Sequence, residues 1–432
     1  FGNFAKAEDL KKRLWFTLGA LIIYRLGTYV PLPGVNPETL REVFAQQQGG
    51  VLGMFDMFAG GALGRMTIFA LNIMPYISAS IIMQLMTAIS PNLEQLKKEG
   101  ESGRKKINQY TRYLTVLLAA VQGYGIAVGL ESLNGGAAVL EPGLFFRAST
   151  VITLVGGTMF LMWLGEQITQ RGVGQGVSLI IFSGIVANLP SAIAGLLDLG
   201  RTGALSTAFI LILLVMSVAV IAFIVFVERA QRRLLVQYPK RQVGQKMYGG
   251  DTSHLPLKLN TAGVIPPIFA SSLLLMPVTL SGFSAAGGPE WLTTMLALLG
   301  RGQPLFMAIY AGMIIFFCFF YTAVVFNPAD TADNLKRQGG VIPGIRPGVN
   351  TANYLDTVLT RLTVVGAMYL TLVCLLPEVL ISQYAVPFYF GGTSLLIIVT
   401  VTMDTVSQIQ SHMLAHQYEG LVKKSKLGRK KR

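Results

Sequence analysis

The side chains able to do chemistry are few, and their spacing does not suit it. Arg25 and Asp404 are the clearest charged residues inside apolar stretches, while Glu166 and Glu228 sit at the ends of two others. Ionisable groups at membrane depth usually mark an ion or proton pathway. Here they are scarce, and Arg25 and Asp404 read as a structural pair or as snorkelling side chains. His254 lies in a polar loop, and His412 and His416 follow the last apolar stretch. Phe182-Ser183-Gly184 resembles the nucleophile segment of an intramembrane serine protease, but no His falls within a span to act as base. Cys318 and Cys374 fall in apolar surroundings and read as buried thiols, with no disulfide framework or Cys-based metal site. No phosphate-binding glycine loop, HExxH or CxxC occurs. The chain brings no catalytic chemistry of its own, and no cofactor or metal is expected.

The frame itself must then carry the function. Of 432 residues, 52% are hydrophobic and 13% charged, against roughly a quarter charged in an ordinary soluble protein. A mean hydropathy of +0.55 is more apolar surface than one soluble core can hide. A soluble enzyme, a coiled coil and a disordered chain are excluded, and a polytopic membrane protein remains. A hydrocarbon core about 30 Å thick takes about 20 helical residues. Ten stretches meet that length: Leu14–Val30, Ile68–Ser90, Tyr113–Leu130, Ser149–Gly165, Val173–Pro190, Leu205–Val227, Thr261–Leu280, Leu305–Phe326, Val358–Pro377 and Gly392–Ser411. The first has no small-residue cleavage site after it and reads as a retained span. The fourth and fifth are separated only by Glu166–Gly172.

Basic residues orient the spans. On the side that holds the termini lie 29 Lys and Arg; the other side has Arg41, Arg65, Arg147, Arg201 and Arg301. Positive charge stays on the cytoplasmic side, so ten spans with both ends cytoplasmic are expected.

Spans 2 and 7 hold the same place in the two halves of the chain, and an offset of five spans inverts one copy. Pro75-Tyr76-Ile77-Ser78-Ala79-Ser80 can be laid over Pro267-Ile268-Phe269-Ala270-Ser271-Ser272. Inverted repeats with prolines in corresponding helices point to a pathway between the halves, although Pro and Ser are also common in membrane helices. The segment Val51–Met66 is too short to span and is broken by Gly60, Gly61 and Gly64. It reads either as a re-entrant element covered by protein or as an interfacial helix. The largest cytoplasmic connection, Glu228–Asn260, carries Arg229, Arg232, Arg233, Lys240, Arg241, Lys246 and Lys258. A second contains Pro343-Gly344-Ile345-Arg346-Pro347-Gly348, a turn that holds Arg346 at its tip. Together they suggest docking of an acidic or RNA-containing partner, against topogenic charge and lipid headgroup contact as the plainer reading.

Longer motifs carry a resemblance over essentially the whole chain. They include Met54–Leu63 (MFDMFAGGAL), Ile73–Gln84 (IMPYISASIIMQ), Lys98–Arg112, Met162–Gln167 (MWLGEQ), His254–Pro266 (HLPLKLNTAGVIP), Phe326–Leu335 and Pro387–Leu396. The sequence resembles the SecY family, the central subunits of the Sec protein-conducting channel.

That resemblance implies an all-α polytopic fold of ten transmembrane helices, in two inverted halves (1–190 and 191–432) around a central pore. It implies an aliphatic ring at the waist formed by Ile73, Ile77, Val177, Ile181, Ile268 and Ile397. An outer plug would contain Met54, Phe55, Asp56, Met57, Phe58, Gly60 and Gly61. Ser78, Ser80, Gln122, Ser271 and Ser272 would hold a lateral gate, and Arg232, Arg233, Lys240, Arg241, Lys246 and Arg346 would dock a motor or a ribosome. The implied partners are SecE-like and SecG-like membrane subunits, a SecA-type ATPase, the ribosome, signal-bearing polypeptides and lipids of a bacterial inner membrane. Two departures lie beside the ring: Asn72 where the family often has Gly, and Pro266-Pro267 where it has one proline. A small-solute secondary transporter is the chief alternative, and it would need the ionisable midplane site that these spans largely lack.

Overall fold

Proline and left-handed backbone, more than hydropathy, decide where two of the apolar helices begin. The structure, a computed structural model, describes residues 8–39, 42, 61, 63, 65–132, 139–203, 206–248, 250–280, 304–384 and 393–429. In chain order they form α1 (Glu8–Gly27), α2 (Met74–Ile89), α3 (Pro91–Lys98), α4 (Glu101–Ser132), α5 (Leu144–Arg171), α6 (Gly176–Arg201) and α7 (Thr207–Arg229). Next come β1 (Gln231–Gln237), β2 (Arg241–Val243), β3 (Lys246–Tyr248) and β4 (Thr252–Lys258). The chain continues as α8 (Ile265–Leu280), α9 (Pro304–Val325), α10 (Pro328–Gln338), α11 (Val349–Tyr384) and α12 (Thr393–Arg429).

Each of the ten expected spans contains a helix, with corrected limits. Span 2 was expected from Ile68, yet residues 68–73 are turns and α2 starts at Met74; span 7 was expected from Thr261, yet α8 starts at Ile265. The reason is local. Pro75 enters α2 in its first turn, where its missing N–H is not needed. Pro266 and Pro267 likewise fall in the first turn of α8. By contrast, Pro190 sits inside α6, which runs on to Arg201. Five of the described helices, α5, α6, α7, α9 and α11, contain segments long and apolar enough to cross a membrane unaided, whereas α2 and the start of α8 are shorter.

The chain divides into two units, one of residues 1–199, 271–306 and 401–432, the other of 200–270 and 307–400. In the first unit α5 and α6 are separated by a break at residues 172–175 that α1 and α12 enclose. Val173 N–H donates to Thr17 Oγ1 at 3.0 Å and Gly174 N–H to Gln408 Oε1 at 2.8 Å. Gly176 is required there, because a Cβ would lie 1.9 Å from the Gly165 carbonyl of α5. At the other end of α5, Arg147 pairs with Glu131 of α4 at 2.7 Å. That guanidinium, with the Gly143 N–H, holds the Glu131 carboxyl below its ordinary value against the opposing effect of partial burial. The second unit contains the strands. Hairpin β1–β4 is antiparallel, with Gln231 opposite Lys258, and β2–β3 forms its tip. These two two-stranded sheets, among the described residues, are a departure from helix that the loop's charge concealed. Leu234 and Val236 alternate inward and bury against Leu257, Leu335, Ile342, Leu355, Val358 and Leu362.

Candidate functional site

The start of α2 is built on an aromatic stack. Phe69 lies between Tyr24 of α1 (centroids 6.1 Å, stacked) and Phe160 of α5 (5.9 Å, stacked). Gly27 makes room for the Phe69 ring, and Gly157 of α5 lets the helix touch the backbone, since a Cβ there would lie 2.1 Å from the Ile68 carbonyl. Met66 and Asn72 bracket the turn, both in the left-handed region (φ +49° and +52°). Asn is one of the few residues that occupies this region at modest cost, so the departure at Asn72 preserves what a glycine would provide. Ile73 and Ile77 follow, 0% and 5% exposed, with Ile77 N–H donating to Ile73 O at 3.1 Å.

The start of α8 in the second unit repeats the plan with other materials. Gly366 of α11 approaches as Gly157 does, since a Cβ would lie 2.6 Å from the Leu259 carbonyl. Gly263 holds the left-handed position (φ +65°), three residues before Pro266, as Asn72 stands three before Pro75. Ile268 N–H donates to Val264 O at 3.4 Å, the counterpart of Ile77 and Ile73. The matching register thus sets Pro75 over Pro266, not over Pro267, and brings Ile77 over Ile268. In place of the stack stands a polar cluster. Asn260 Nδ2 donates to Glu228 Oε1 at 2.9 Å and to Gly263 O at 3.2 Å, and Tyr369 Oη donates to Glu228 Oε1 at 3.4 Å.

The expected ring residues are distributed as follows. Ile73, Ile77, Val177 and Ile181 belong to the first unit and Ile268 and Ile397 to the second. All are buried except Val177, which is half-buried and faces Gly165 of α5. Of the gate residues, Ser78, Gln122, Ser271 and Ser272 are buried and Ser80 is half-buried. Ser272 Oγ donates to Met74 Sδ at 3.4 Å, which joins α8 to the first residue of α2. Met54, Phe55, Asp56, Met57, Phe58 and Gly60 lie outside the described residues. Just beyond them, Arg65 Nε donates to Thr28 O at 3.1 Å, and its guanidinium lies 4.2 Å from the centre of the Tyr29 ring.

On the polar side of the second unit, the two basic loops form one platform. Gln237 of β1 and Val341 exchange backbone hydrogen bonds of 2.8 and 2.9 Å, so the Arg346 loop is pinned to the hairpin. Gly344 and Gly348 take left-handed conformations, and Thr351 Oγ1 donates to Arg346 O at 2.7 Å, which fixes the turn. Arg232, Arg233, Lys240, Lys246 and Arg346 are exposed, while the side chain of Arg241 lies outside the described residues.

Aliphatic side chains buried at a matched helix start in each unit, and a rigid basic platform in the second, suit passage and docking better than catalysis. The SecY family model matches residues 67–406. The chain is 56% identical over 429 residues to the protein translocase subunit SecY of Rickettsia conorii, covering 98% of this chain and 99% of that one. It is 55% identical over 421 residues to the same subunit of Escherichia coli strain K12, covering 97% and 95%. This chain belongs to the SecY family.

Its fold is that of a protein-conducting channel: a solved channel structure superposes with a TM-score of 0.67 at 17% identity, covering 93% of this chain and 92% of that one. Sec61 in the canine ribosome–channel complex superposes at 0.64 with 16% identity and the same coverage. As a member of the SecY family the chain is a membrane-embedded translocase subunit rather than an enzyme. Sequence reasoning missed the Glu228–Asn260–Tyr369 cluster. Its signal was a carboxylate at a span end and an Asn just before a doubled proline.

Proposed function

We propose that the chain is the passive pore of a bacterial inner-membrane translocase, with both termini cytoplasmic. Unfolded secretory polypeptides cross between two inverted halves, 1–190 and 191–432, and apolar segments leave sideways into lipid. Ile73, Ile77, Val177, Ile181, Ile268 and Ile397 form the waist. An apolar constriction dewets and blocks ions, yet holds no fixed charge to trap a moving chain. The segment with Met54–Gly61 closes the outer funnel, tethered downstream by Arg65. Ser78, Ser80, Gln122, Ser271 and Ser272 hold the lateral gate shut until an apolar signal biases it open. SecE-like and SecG-like subunits complete the membrane complex. A SecA-type motor or a ribosome docks on Arg232, Arg233, Lys240, Arg241, Lys246 and Arg346 and supplies the driving energy.

The observation that carries the waist is the matched pair of helix starts. In each unit a glycine of a long helix, a left-handed residue and a proline deliver an isoleucine to the same position, Ile77 in one and Ile268 in the other. The test is a crosslink. In a background lacking Cys318 and Cys374, Ile268→Cys is combined with an arrested secretory substrate carrying one Cys, in membranes with partner subunits and an energy source. A disulfide that requires both signal sequence and arrest is expected. Crosslinks only at a lipid-facing control such as Phe226→Cys would sink the pore assignment and revive the transporter reading.

A further inference from the structure

Glu228 is a carboxylate only 8% exposed at the last turn of α7. The hydrogen bond it accepts from Asn260 ties it to one short segment, the turn at residues 259–264 that precedes α8. Asn260 Nδ2 bridges Glu228 Oε1 and the Gly263 carbonyl, so the carboxylate and the left-handed residue are held by one amide. Leu259 N–H donates to Ala230 O at 3.3 Å, just past the end of α7. From the opposite side α11 closes on the same turn. Gly366 packs against the Leu259 carbonyl, and Tyr369, one turn on, donates to Glu228 and packs edge-on to Phe223 of α7. The turn has little room to shift while these contacts stand, and Ile268 follows directly from it through the Ile268–Val264 hydrogen bond.

We propose that Glu228, acting through Asn260 and supported by Tyr369, is a positioning residue that holds the start of α8 in the closed arrangement. The cluster acts as a latch on the helix that bears Ile268. Hydrogen bonds to a charged group are stronger than neutral ones and are lost over a short displacement. The latch therefore resists a small shift of α8 and yields abruptly to a larger one. This inference rests on the gate reading proposed above.

The experiment uses cells that depend on this chain with its partner subunits and measures export of a precursor with a weakened signal sequence. Glu228→Ala and Asn260→Ala are expected to raise that export about tenfold, the population shift that one hydrogen bond to a charged group commands. Glu228→Gln keeps an acceptor for Asn260 and Tyr369 but loses the charge that strengthens both bonds, so its stringency should lie between wild type and Glu228→Ala. A loss of general stability would lower the export of all precursors and cannot produce this gain. If Glu228→Ala fails to accumulate in the membrane, Gly366→Ala and Tyr369→Phe decide. The first displaces the turn without touching the carboxylate and should relax stringency, and the second should relax it less. Wild-type stringency in the Glu228, Asn260 and Gly366 variants, alongside relaxation by Ser272→Leu, overturns the latch and leaves the gate reading intact. Wild-type stringency in all of them, Ser272→Leu included, overturns both. Equal relaxation in Glu228→Gln and Glu228→Ala overturns the latch, because the retained acceptor for Asn260 and Tyr369 would then hold nothing.

Discussion

The turn before α2 and the turn before α8 do the same work with opposite chemistry. Each carries an isoleucine into place after a left-handed residue and a proline, and each is touched by a glycine of a long helix. The first is held by aromatic rings, Tyr24, Phe69 and Phe160, the second by a carboxylate, an amide and a phenol, Glu228, Asn260 and Tyr369. Ring packing is non-directional and weakens gradually as surfaces slide. Hydrogen bonds to a buried carboxylate depend on angle and distance and fail within an ångström or so. The comparison teaches that one backbone plan can be given a yielding seat or a snapping one by the side chains beneath it.

The strongest way to break the comparison is at the glycines. Gly157→Ala drives a methyl group to 2.1 Å from a backbone carbonyl, against 2.6 Å for Gly366→Ala, and a backbone cannot rotate away as a side chain can. Gly157→Ala should destabilise by more than about 3 kcal/mol, the upper range for overpacking, and Gly366→Ala by less. Aggregation midpoints of the purified complexes in detergent rank the two, and the reverse order would mean that the turns are not equivalent.

Next is the stack itself. Phe69→Ala removes a ring that is 3% exposed and should cost about 3–5 kcal/mol, as for other buried aromatics. Phe69→Leu should recover most of that loss, since packing there needs volume more than direction. No such recovery would argue that the seat is directional after all.

Asn72 separates backbone from side chain. Asn72→Ala keeps a Cβ in the left-handed region and should lose about 1–2 kcal/mol. Asn72→Gly relieves that strain, so its stability should lie above that of the Ala variant in the same melting assay.

The smallest effect belongs to the outer brace of α5, the Glu131–Arg147 pair. The Glu131 carboxyl lies below its ordinary value of 4.5 because Arg147 favours its charged form. A depressed carboxyl stabilises the fold above the ordinary carboxylate range, and that contribution is lost as pH falls through the folded value. Wild type should therefore lose a little more stability than Glu131→Gln between neutral pH and pH 3–4. Parallel pH profiles would remove the pair from the support of α5.

Much of this was legible in the sequence. The ten spans followed from apolar length and from the segregation of Lys and Arg, because the bilayer imposes both. The helix starts were not legible from hydropathy: Ile68–Leu71 is apolar throughout, and nothing in apolarity separates a turn from a helix. Their markers, Asn72 and Pro266-Pro267, did stand out as departures, and the structure explains the first as a left-handed residue. The repeat was readable but one residue out of register, because either member of the doubled proline could match Pro75 and only backbone geometry chooses Pro266. The hairpin was hidden because the Arg and Lys residues of Gln231–Lys258 drew the reading to its charge, while its inward alternation rests on little more than Leu234, Val236 and Leu257. Glu228 was read only as the end of a span, since its partners Asn260 and Tyr369 lie far along the chain.

The backbone exchange between Gln237 and Val341 has a consequence for any visitor to the basic platform. Two separate loops would each lose conformational freedom on being gripped, and affinity would be diminished accordingly. Here that freedom has already been surrendered in folding, so the hairpin and the Arg346 turn meet a visitor as one prepaid surface. Force applied to either is borne by both, and through the packing of Leu335 and Leu355 it reaches α10 and α11.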